Sequence, residues 1–304
     1  MGATGQLYCF DASSGAIQWQ NDMAALYHIR MPTWGIACSP LVEQDLLIVQ
    51  IGGADGACLV ALELTTGIER WRALDDPASY CSPIVVQQAG HRVLVCWTGT
   101  RVVGLDPQSG QLHWQYPTPP ERFIRNCATP VWNGNRLLLS SFFDGSWMLE
   151  LAADRLAVEK VWHRVGPNEM QTDGLQTNIA EPLIDGDYVY GVDSFGQLRC
   201  LAADTGVRRW ERRDVIPIRR WSTLRLIPNG DKVWLFTDQG ELILGRLAAA
   251  GYTEISRAQL IKPTRVQLRR RNGVCWAHPA FAHQHVYARN DEELVCASLR
   301  AEDR

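Results

Sequence analysis

The sequence lacks long hydrophobic runs and any excess of positive charge. No stretch of about 18 apolar residues occurs, so we expect no membrane-spanning helix. Lys and Arg total 30 against 33 Asp and Glu, a net charge of −3 that leaves no basic surplus for a phosphate backbone. The Gly-x-Ser-x-Gly, HExxH and P-loop motifs are also absent. These absences argue against nucleic acid as a partner and against the common hydrolase and nucleotide-binding chemistries.

Cysteine is present, but not in any pattern that holds a metal. None of the nine cysteines are adjacent, and no Cys-x-x-Cys occurs, whereas a zinc site needs clustered Cys or His pairs. Cys9, Cys200 and Cys296 instead recur at one position of three similar segments, LYCFD, LRCLA and LVCAS. We therefore predict that the cysteines act as small buried hydrophobic residues at equivalent repeat positions.

Tryptophan is unusually common, and its spacing reveals a repeat. The chain has 12 Trp against 7 Phe and 8 Tyr. The segment GQLYCFDASSGAIQW at residues 5–19 follows the pattern Gly-x-Leu-x-x-Leu-Asp-x-x-Thr/Ser-Gly-x-x-x-Trp. The Asp and Gly of this pattern are typical of a hairpin turn between two strands. Related segments end at Trp71, Trp114, Trp162 and Trp210, and a sixth copy, GELILGRLAAAGYTEIS, lacks the Trp.

A second segment runs in phase with the first and completes a four-stranded unit. Segments such as CSPLVEQDLLIV and AEPLIDGDYVYGV each predict a strand, a polar turn and a second strand. Four-stranded units that recur every 40–50 residues predict an all-β fold, a β-propeller in a single domain over residues 1–304. The recurring Trp would then pack between adjacent blades.

The blade count follows from the two ends of the chain. Residues 5–19 predict only the third and fourth strands of a blade, and the last unit predicts three strands. We expect seven blades, the first and last incomplete, with upstream residues that close the ring. The alternative is a ring of six in which the two ends share one composite blade.

The segments GQLYCFDASSGAIQW and GQLRCLAADTGVRRW resemble the PQQ-like, or quinoprotein-type, repeat. The resemblance covers nearly the whole chain and implies one of two groups. One group is the quinoprotein dehydrogenases, which have eight blades, PQQ and Ca²⁺. The other is the cofactor-free scaffold propellers similar to BamB, which are exported bacterial proteins. The resemblance therefore implies a periplasmic or cell-surface location.

Several features depart from the dehydrogenase pattern. Those enzymes place a disulfide between adjacent cysteines against the quinone, and this chain has no adjacent cysteines. They are also longer and carry an extra blade. We therefore expect no cofactor, with PQQ and Ca²⁺ as the alternative.

The loops that precede the first strand of each unit are the predicted binding face. They are long, and on a rigid β scaffold such loops carry function. Arg, Trp and Tyr together suit sugars, carboxylates, aromatic ligands or a protein surface. The candidates for lining one funnel are Arg30, Trp34, Tyr80, Arg125, Asn126, Asn178, Glu181, Arg220, Trp221, Trp276 and His278. For Glu181 we expect an arginine partner, because a buried carboxylate needs one. The basic run QLRRR at 267–271 is interpreted as a solvated loop.

We therefore predict a monomeric, non-enzymatic binding or scaffold propeller, whose partner is an envelope protein or a polysaccharide. A PQQ- and Ca²⁺-dependent alcohol or sugar dehydrogenase is the first alternative, with the quinone stacked on Trp34, Trp221 or Trp276. A polysaccharide-acting enzyme that uses Glu181, His278 or Arg220 is the second, and it rests on fold analogy alone.

Overall fold

A computed structural model describes residues 1–266 and 273–300. The basic run at 267–271 thus lies outside the described residues. Almost all regular structure is β-strand, and the chain divides into two compact units, Met1–Val165 and Gly166–Arg304. No helix in the described part of the chain is long and apolar enough to cross a membrane.

The first unit contains four antiparallel sheets and a four-residue helix, α1 (Met23–Leu26). The first sheet has two strands, β1 (Gln6–Phe10) and β2 (Ile17–Asp22). The other three have four strands each, in the order of the chain. They are β3 (Leu41–Glu43), β4 (Leu46–Gln50), β5 (Leu59–Glu63) and β6 (Glu69–Ala73); β7 (Ile84–Gln88), β8 (His91–Trp97), β9 (Arg101–Leu105) and β10 (Leu112–Pro117); and β11 (Val131–Asn133), β12 (Arg136–Ser141), β13 (Gly145–Leu151) and β14 (Val158–Arg164).

The second unit contains two four-stranded sheets and one three-stranded sheet among its described residues. The strands are β15 (Leu183–Asp185), β16 (Tyr188–Val192), β17 (Leu198–Ala202) and β18 (Arg208–Arg212); β19 (Leu224–Asn229), β20 (Lys232–Thr237), β21 (Glu241–Ala248) and β22 (Gly251–Gln259); and β23 (Ala280–Ala282), β24 (His285–Arg289) and β25 (Leu294–Ser298). The predicted four-stranded unit is thus confirmed in five complete copies.

The core of each unit lies between neighbouring sheets. Val49 and Leu62 of one sheet pack with Leu7 of the sheet before it, and Leu235 packs with Leu198 in the same way. The third strands are buried on both faces, since four of the five residues of β5 and all five of β17 are buried. A single sheet cannot bury both faces alone, so each one depends on its neighbours.

The repeat pattern forms the predicted hairpin turns. Oδ1 of Asp11 accepts hydrogen bonds from the backbone N–H and the hydroxyl of Ser13 and of Ser14, and Asp106 makes the same turn with Ser109. The closing Gly15 and Gly110 both have a φ of 73°, a conformation that favours glycine.

The recurring Trp side chains pack between sheets, as predicted. The Trp71 indole N–H donates to the Pro107 carbonyl of the next sheet over 3.1 Å, and the Trp71 side chain is 8% exposed. A Cβ added to Gly110 would lie 2.6 Å from the Trp71 ring, so the ring rests directly on the glycine of the next hairpin turn.

The prediction that cysteines are buried holds for six of the nine and is wrong for Cys296, which is exposed. Cys9 and Cys127 are half-buried. Cys9 and Cys296 lie in β1 and β25, which belong to the two- and three-stranded sheets and have fewer neighbouring strands to cover them. Burial raises the pKa of Cys38 to about 11, so its thiol is protonated and unreactive at neutral pH.

Two glycine substitutions test the Trp–Gly contact. Gly15→Ala and Gly110→Ala impose the same backbone strain, of about 1 kcal/mol, because both glycines have a φ of 73°. Nothing lies within 4 Å of a Cβ at Gly15, whereas the Trp71 ring would lie 2.6 Å from a Cβ at Gly110. We expect Gly110→Ala to destabilise by about 1–3 kcal/mol more than Gly15→Ala in urea denaturation. Equal losses of stability in the two variants would show that the Trp71 ring does not contact the turn at Gly110.

Candidate functional site

In the first unit, three of the predicted loops meet around Trp34. The Trp34 ring lies 5.1 Å from the Tyr80 ring, and the Arg125 guanidinium lies 5.4 Å from the Trp34 ring centre. The Tyr80 N–H donates to the Asn126 carbonyl over 3.0 Å, and the Asn126 amide donates to the Thr98 carbonyl. Trp34, Tyr80, Arg125 and Asn126 are therefore neighbours. Arg30 is exposed and makes no ion pair with any described residue.

Three phenylalanines extend this group. The Phe123 ring lies 6.2 Å from Trp34 and 5.2 Å from Phe143, which contacts Phe142 edge-on at 4.8 Å. The Arg125 guanidinium also lies 4.5 Å from the Phe142 ring. We call Trp34, Tyr80, Phe123, Arg125, Phe142 and Phe143 the aromatic–arginine cluster.

The cluster has a buried base and an exposed rim. Phe142 is 0% exposed and Phe143 and Tyr80 are 7% and 8% exposed, whereas Trp34 is 51% and Phe123 46% exposed. Burial raises the pKa of Tyr80, so its hydroxyl stays protonated and can donate a hydrogen bond. Two large apolar rings thus face solvent from a fixed support.

Buried polar groups fix the loop that carries Tyr80. The Gln50 side chain donates to the Trp97 carbonyl and accepts from the Ser79 N–H. Asp76 accepts two bonds from the Arg101 Nε and Nη2 atoms, at 2.9 and 2.7 Å. Burial opposes ionisation of Asp76, but the bonds from Arg101 and Thr100 hold the pKa of its carboxyl below the ordinary value.

In the second unit, Arg225 joins two of the predicted loops. Arg225 Nη1 lies 3.3 Å from a Glu181 carboxylate oxygen, and Nη2 donates to the Trp276 carbonyl over 3.0 Å. The expected arginine partner of Glu181 is therefore present. Arg225 is 7% exposed, and burial lowers the pKa of its guanidinium to about 10.

His278 lies in the field of this ion pair. Loss of hydration and repulsion by the Arg225 charge lower the pKa of its imidazole, and attraction to Glu181 opposes them. Because the pKa is lower in the folded state than in the unfolded state, the neutral form contributes stability above pH 6.5 that is lost as the pH falls.

Arg220 and Trp221 form a separate group in the same unit. The Arg220 guanidinium lies 4.8 Å from the Trp221 ring centre and pairs with Glu169 at 2.7 Å. Asn178 is 3% exposed and lies in the loop between β14 and β15.

The loop of Glu169 is held by a buried ion pair. Arg199 and Asp193 are 3.1 Å apart, with exposed side-chain fractions of 3% and 1%. Asp193 accepts from the Gln176 N–H, and Arg199 donates to the Gly174 carbonyl, each over 2.7 Å. The ion pair therefore provides hydrogen-bond partners for backbone groups of this loop that are not paired in a strand.

Sequence reasoning missed Arg225, the Asp193–Arg199 pair and the three phenylalanines of the cluster. The "SFFDG" turn at 141–145 carried two adjacent aromatic residues, which was the one signal available. The arginines lie inside apolar strands, where nothing in the local pattern marks them.

The comparisons with known proteins agree on the fold. The family model described as "Outer membrane protein assembly factor BamB" matches residues 1–212. No curated protein matches the sequence. Among solved structures, BamB from Moraxella catarrhalis has a TM-score of 0.67 and 17% identity, over 97% of this chain and 78% of that chain.

Two further structures share the fold. The computationally designed Ika8 protein has a TM-score of 0.60 and 11% identity, over 98% of this chain and 79% of that one. The quinohemoprotein alcohol dehydrogenase of Comamonas testosteroni has a TM-score of 0.59 and 12% identity, over 93% of this chain and 59% of that one. At these identities the likeness establishes the fold alone, an all-β propeller of PQQ-like blades.

Two substitutions of opposite sign test the electrostatics around His278. Arg225→Met removes a positive charge and should raise the pKa of His278, and Glu181→Gln removes a negative charge and should lower it. The measurement is an NMR titration of the imidazole signals in each variant and in the unmodified protein. Shifts in the same direction for both variants would contradict the arrangement.

Proposed function

The chain belongs to the family of the outer membrane protein assembly factor BamB, and from that premise we propose that it is a non-enzymatic binding propeller of the bacterial cell envelope. The partner is an envelope protein, bound at the aromatic–arginine cluster. The observation that carries this proposal is the exposure of Trp34 and Phe123, at 51% and 46%, above three buried rings.

The cluster has the composition and the rigidity of a protein-binding hot spot. Trp, Tyr and Arg are the residue types that contribute most to binding energy at protein interfaces. Because Phe143 contacts the Phe123 ring and Tyr80 contacts the Trp34 ring, little side-chain entropy would be lost on binding.

A protein partner suits this geometry better than a polysaccharide. The planes of Trp34 and Tyr80 are tilted by 59°, and those of Trp34 and Phe123 by 51°. The rings therefore share no flat face on which a sugar ring could stack, whereas protein side chains can pack against rings of different orientation. The Arg125 guanidinium also lies over the Trp34 ring.

We propose that this function needs no cofactor. Among residues 1–266 and 273–300, no three His, Cys, Asp or Glu side chains form a group that could hold a metal ion. Glu169 and Glu181 are engaged by Arg220 and Arg225. Two carboxylates of the candidate loops are thus already paired with arginines, which supports a function without Ca²⁺.

A double substitution tests the binding face. Trp34→Ala with Phe123→Ala removes both exposed anchors, which should weaken partner binding at least tenfold. The intact protein and the variant are used to capture proteins from the envelope of the cells that encode it, with quantification by mass spectrometry. Trp132→Ala is the control, because Trp132 is a 36% exposed tryptophan of the same unit outside the cluster. Recovery of the same proteins by both variants would refute the assignment.

A titration with PQQ tests the absence of a cofactor. We expect no saturable quenching of tryptophan fluorescence at micromolar PQQ, with or without Ca²⁺. Saturable quenching that depends on Ca²⁺ would instead favour the dehydrogenase alternative, and oxidation of alcohols and sugars would then be assayed.

A further inference from the structure

Arginine is concentrated in one stretch of the second unit. The segment VRRWERRDVIPIRRW at 207–221 contains six arginines and no lysine, against two carboxylates, Glu211 and Asp214. Three of the arginines lie on β18, and three lie on the loop between β18 and β19. We call the six residues the arginine surface: Arg208, Arg209, Arg212, Arg213, Arg219 and Arg220.

Glu211, the one carboxylate on β18, is shared by three guanidinium groups. Arg208 and Arg213 each lie 2.7 Å from it, and Arg199 lies 2.8 Å from it. Arg199 is buried and also pairs with Asp193. The three arginines thus carry one positive charge more than the two carboxylates that they contact can balance.

Of the other arginines on this surface, two are paired and two are not. Arg212 and Arg220 each pair with one carboxylate. Arg209 is exposed and Arg219 is half-buried, and neither makes an ion pair with any residue that the structure describes. The surface therefore has an unbalanced positive charge at three places, one beside Glu211 and one each at Arg209 and Arg219.

The strand that carries half of this surface has an open edge. β18 is the outermost strand of its sheet, and among the described residues only β17 pairs with it. Charged side chains often protect such an edge from unwanted strand pairing. Protection does not require this composition, however, because β10 has the same place in its sheet and contains neither Lys nor Arg. The arginines thus distinguish the edge of β18 from an equivalent edge of the same fold.

We propose that the arginine surface binds an extended acidic segment of a partner protein, whose carboxylates pair with Arg209, with Arg219 and with the surplus charge beside Glu211. Arginine suits this occupant because a guanidinium group binds a carboxylate through two parallel hydrogen bonds. The open edge of β18 favours an extended segment, since a strand added there would gain backbone hydrogen bonds. The site lies in the second unit, and it goes beyond the proposed function of the aromatic–arginine cluster.

A protein segment suits this surface better than an anionic membrane does. Glu211 and Asp214 lie among the arginines in the chain, and a uniformly negative layer of lipid headgroups would repel both carboxylates. A protein segment can instead place its own carboxylates opposite the guanidinium groups and neutral residues opposite Glu211 and Asp214.

The test uses a capped peptide of alternating glutamate and threonine, about ten residues long, because threonine favours an extended conformation. The peptide carries an uncharged fluorescent dye, and its anisotropy is followed as the full-length protein is added at low salt. We expect saturable binding, and at least about tenfold weaker binding of the matched peptide with glutamine in place of glutamate. Equal binding of the two peptides, or no binding at millimolar protein, would overturn the proposal.

A double substitution locates the site. Arg209→Gln with Arg219→Gln removes two positive charges without breaking any ion pair among the described residues. We expect at least about tenfold weaker binding of the glutamate peptide. The control is Arg70→Gln with Arg155→Gln. Arg70 lies on β6 where Arg209 lies on β18, directly before the repeated Trp, and its side chain is 50% exposed, against 59% for Arg155.

Equal loss of binding in the two double variants would contradict the assignment. If the first variant fails to fold, the comparison of the two peptides on the unmodified protein still decides. Tighter binding to phosphatidylglycerol vesicles than to the glutamate peptide would also overturn the proposal, because the surface would then be a membrane-docking site.

The two proposed sites can fail independently. The variant with Trp34→Ala and Phe123→Ala should bind the glutamate peptide as the unmodified protein does. Loss of peptide binding in that variant would place the peptide at the aromatic–arginine cluster and refute the assignment to the arginine surface, whatever the envelope capture shows.

Discussion

The structure depends on one repeated contact, in which an indole ring lies on the glycine of the next hairpin turn and donates to a nearby carbonyl. Trp71, Gly110 and Pro107 show all three elements of it. A four-stranded sheet with apolar residues on both faces cannot be stable alone. The contact buries a large apolar area and satisfies the indole N–H at once, so it fixes both the distance and the register between neighbouring sheets.

The packing between sheets does not hold the connecting loops. Buried polar side chains hold them instead. The loop of Tyr80 is anchored by Asp76 and Gln50, and the loop of Glu169 by Arg199 and Asp193. Gln50, Asp193 and Arg199 are buried side chains that bond backbone groups of these loops, and Asp76 ties its loop to the Arg101 side chain. The exposed rings of the aromatic–arginine cluster can therefore be held in place although they lie on loops.

Sequence patterns predicted the regular part of this molecule well. The hairpin turns, the four-strand units and the packing of the repeated Trp side chains followed from spacing, because they are local and recur in every copy. The sequence predicted that the partner of Glu181 is an arginine but did not identify Arg225, because the pair joins a loop residue to a strand residue 44 positions later in the chain. The exposure of Cys296 was mispredicted, since it depends on how many strands cover the position and not on the local sequence.

The same repetition explains where binding sites arise in such a fold. A side chain that recurs in the repeats is buried by packing between sheets, so it is not accessible to a binding partner. The proposed binding site accordingly uses a tryptophan that lies outside the repeated position, Trp34. In the sixth repeat Ser256 stands where the other copies have the indole, and Trp234 places an aromatic ring in the same cross-strand row.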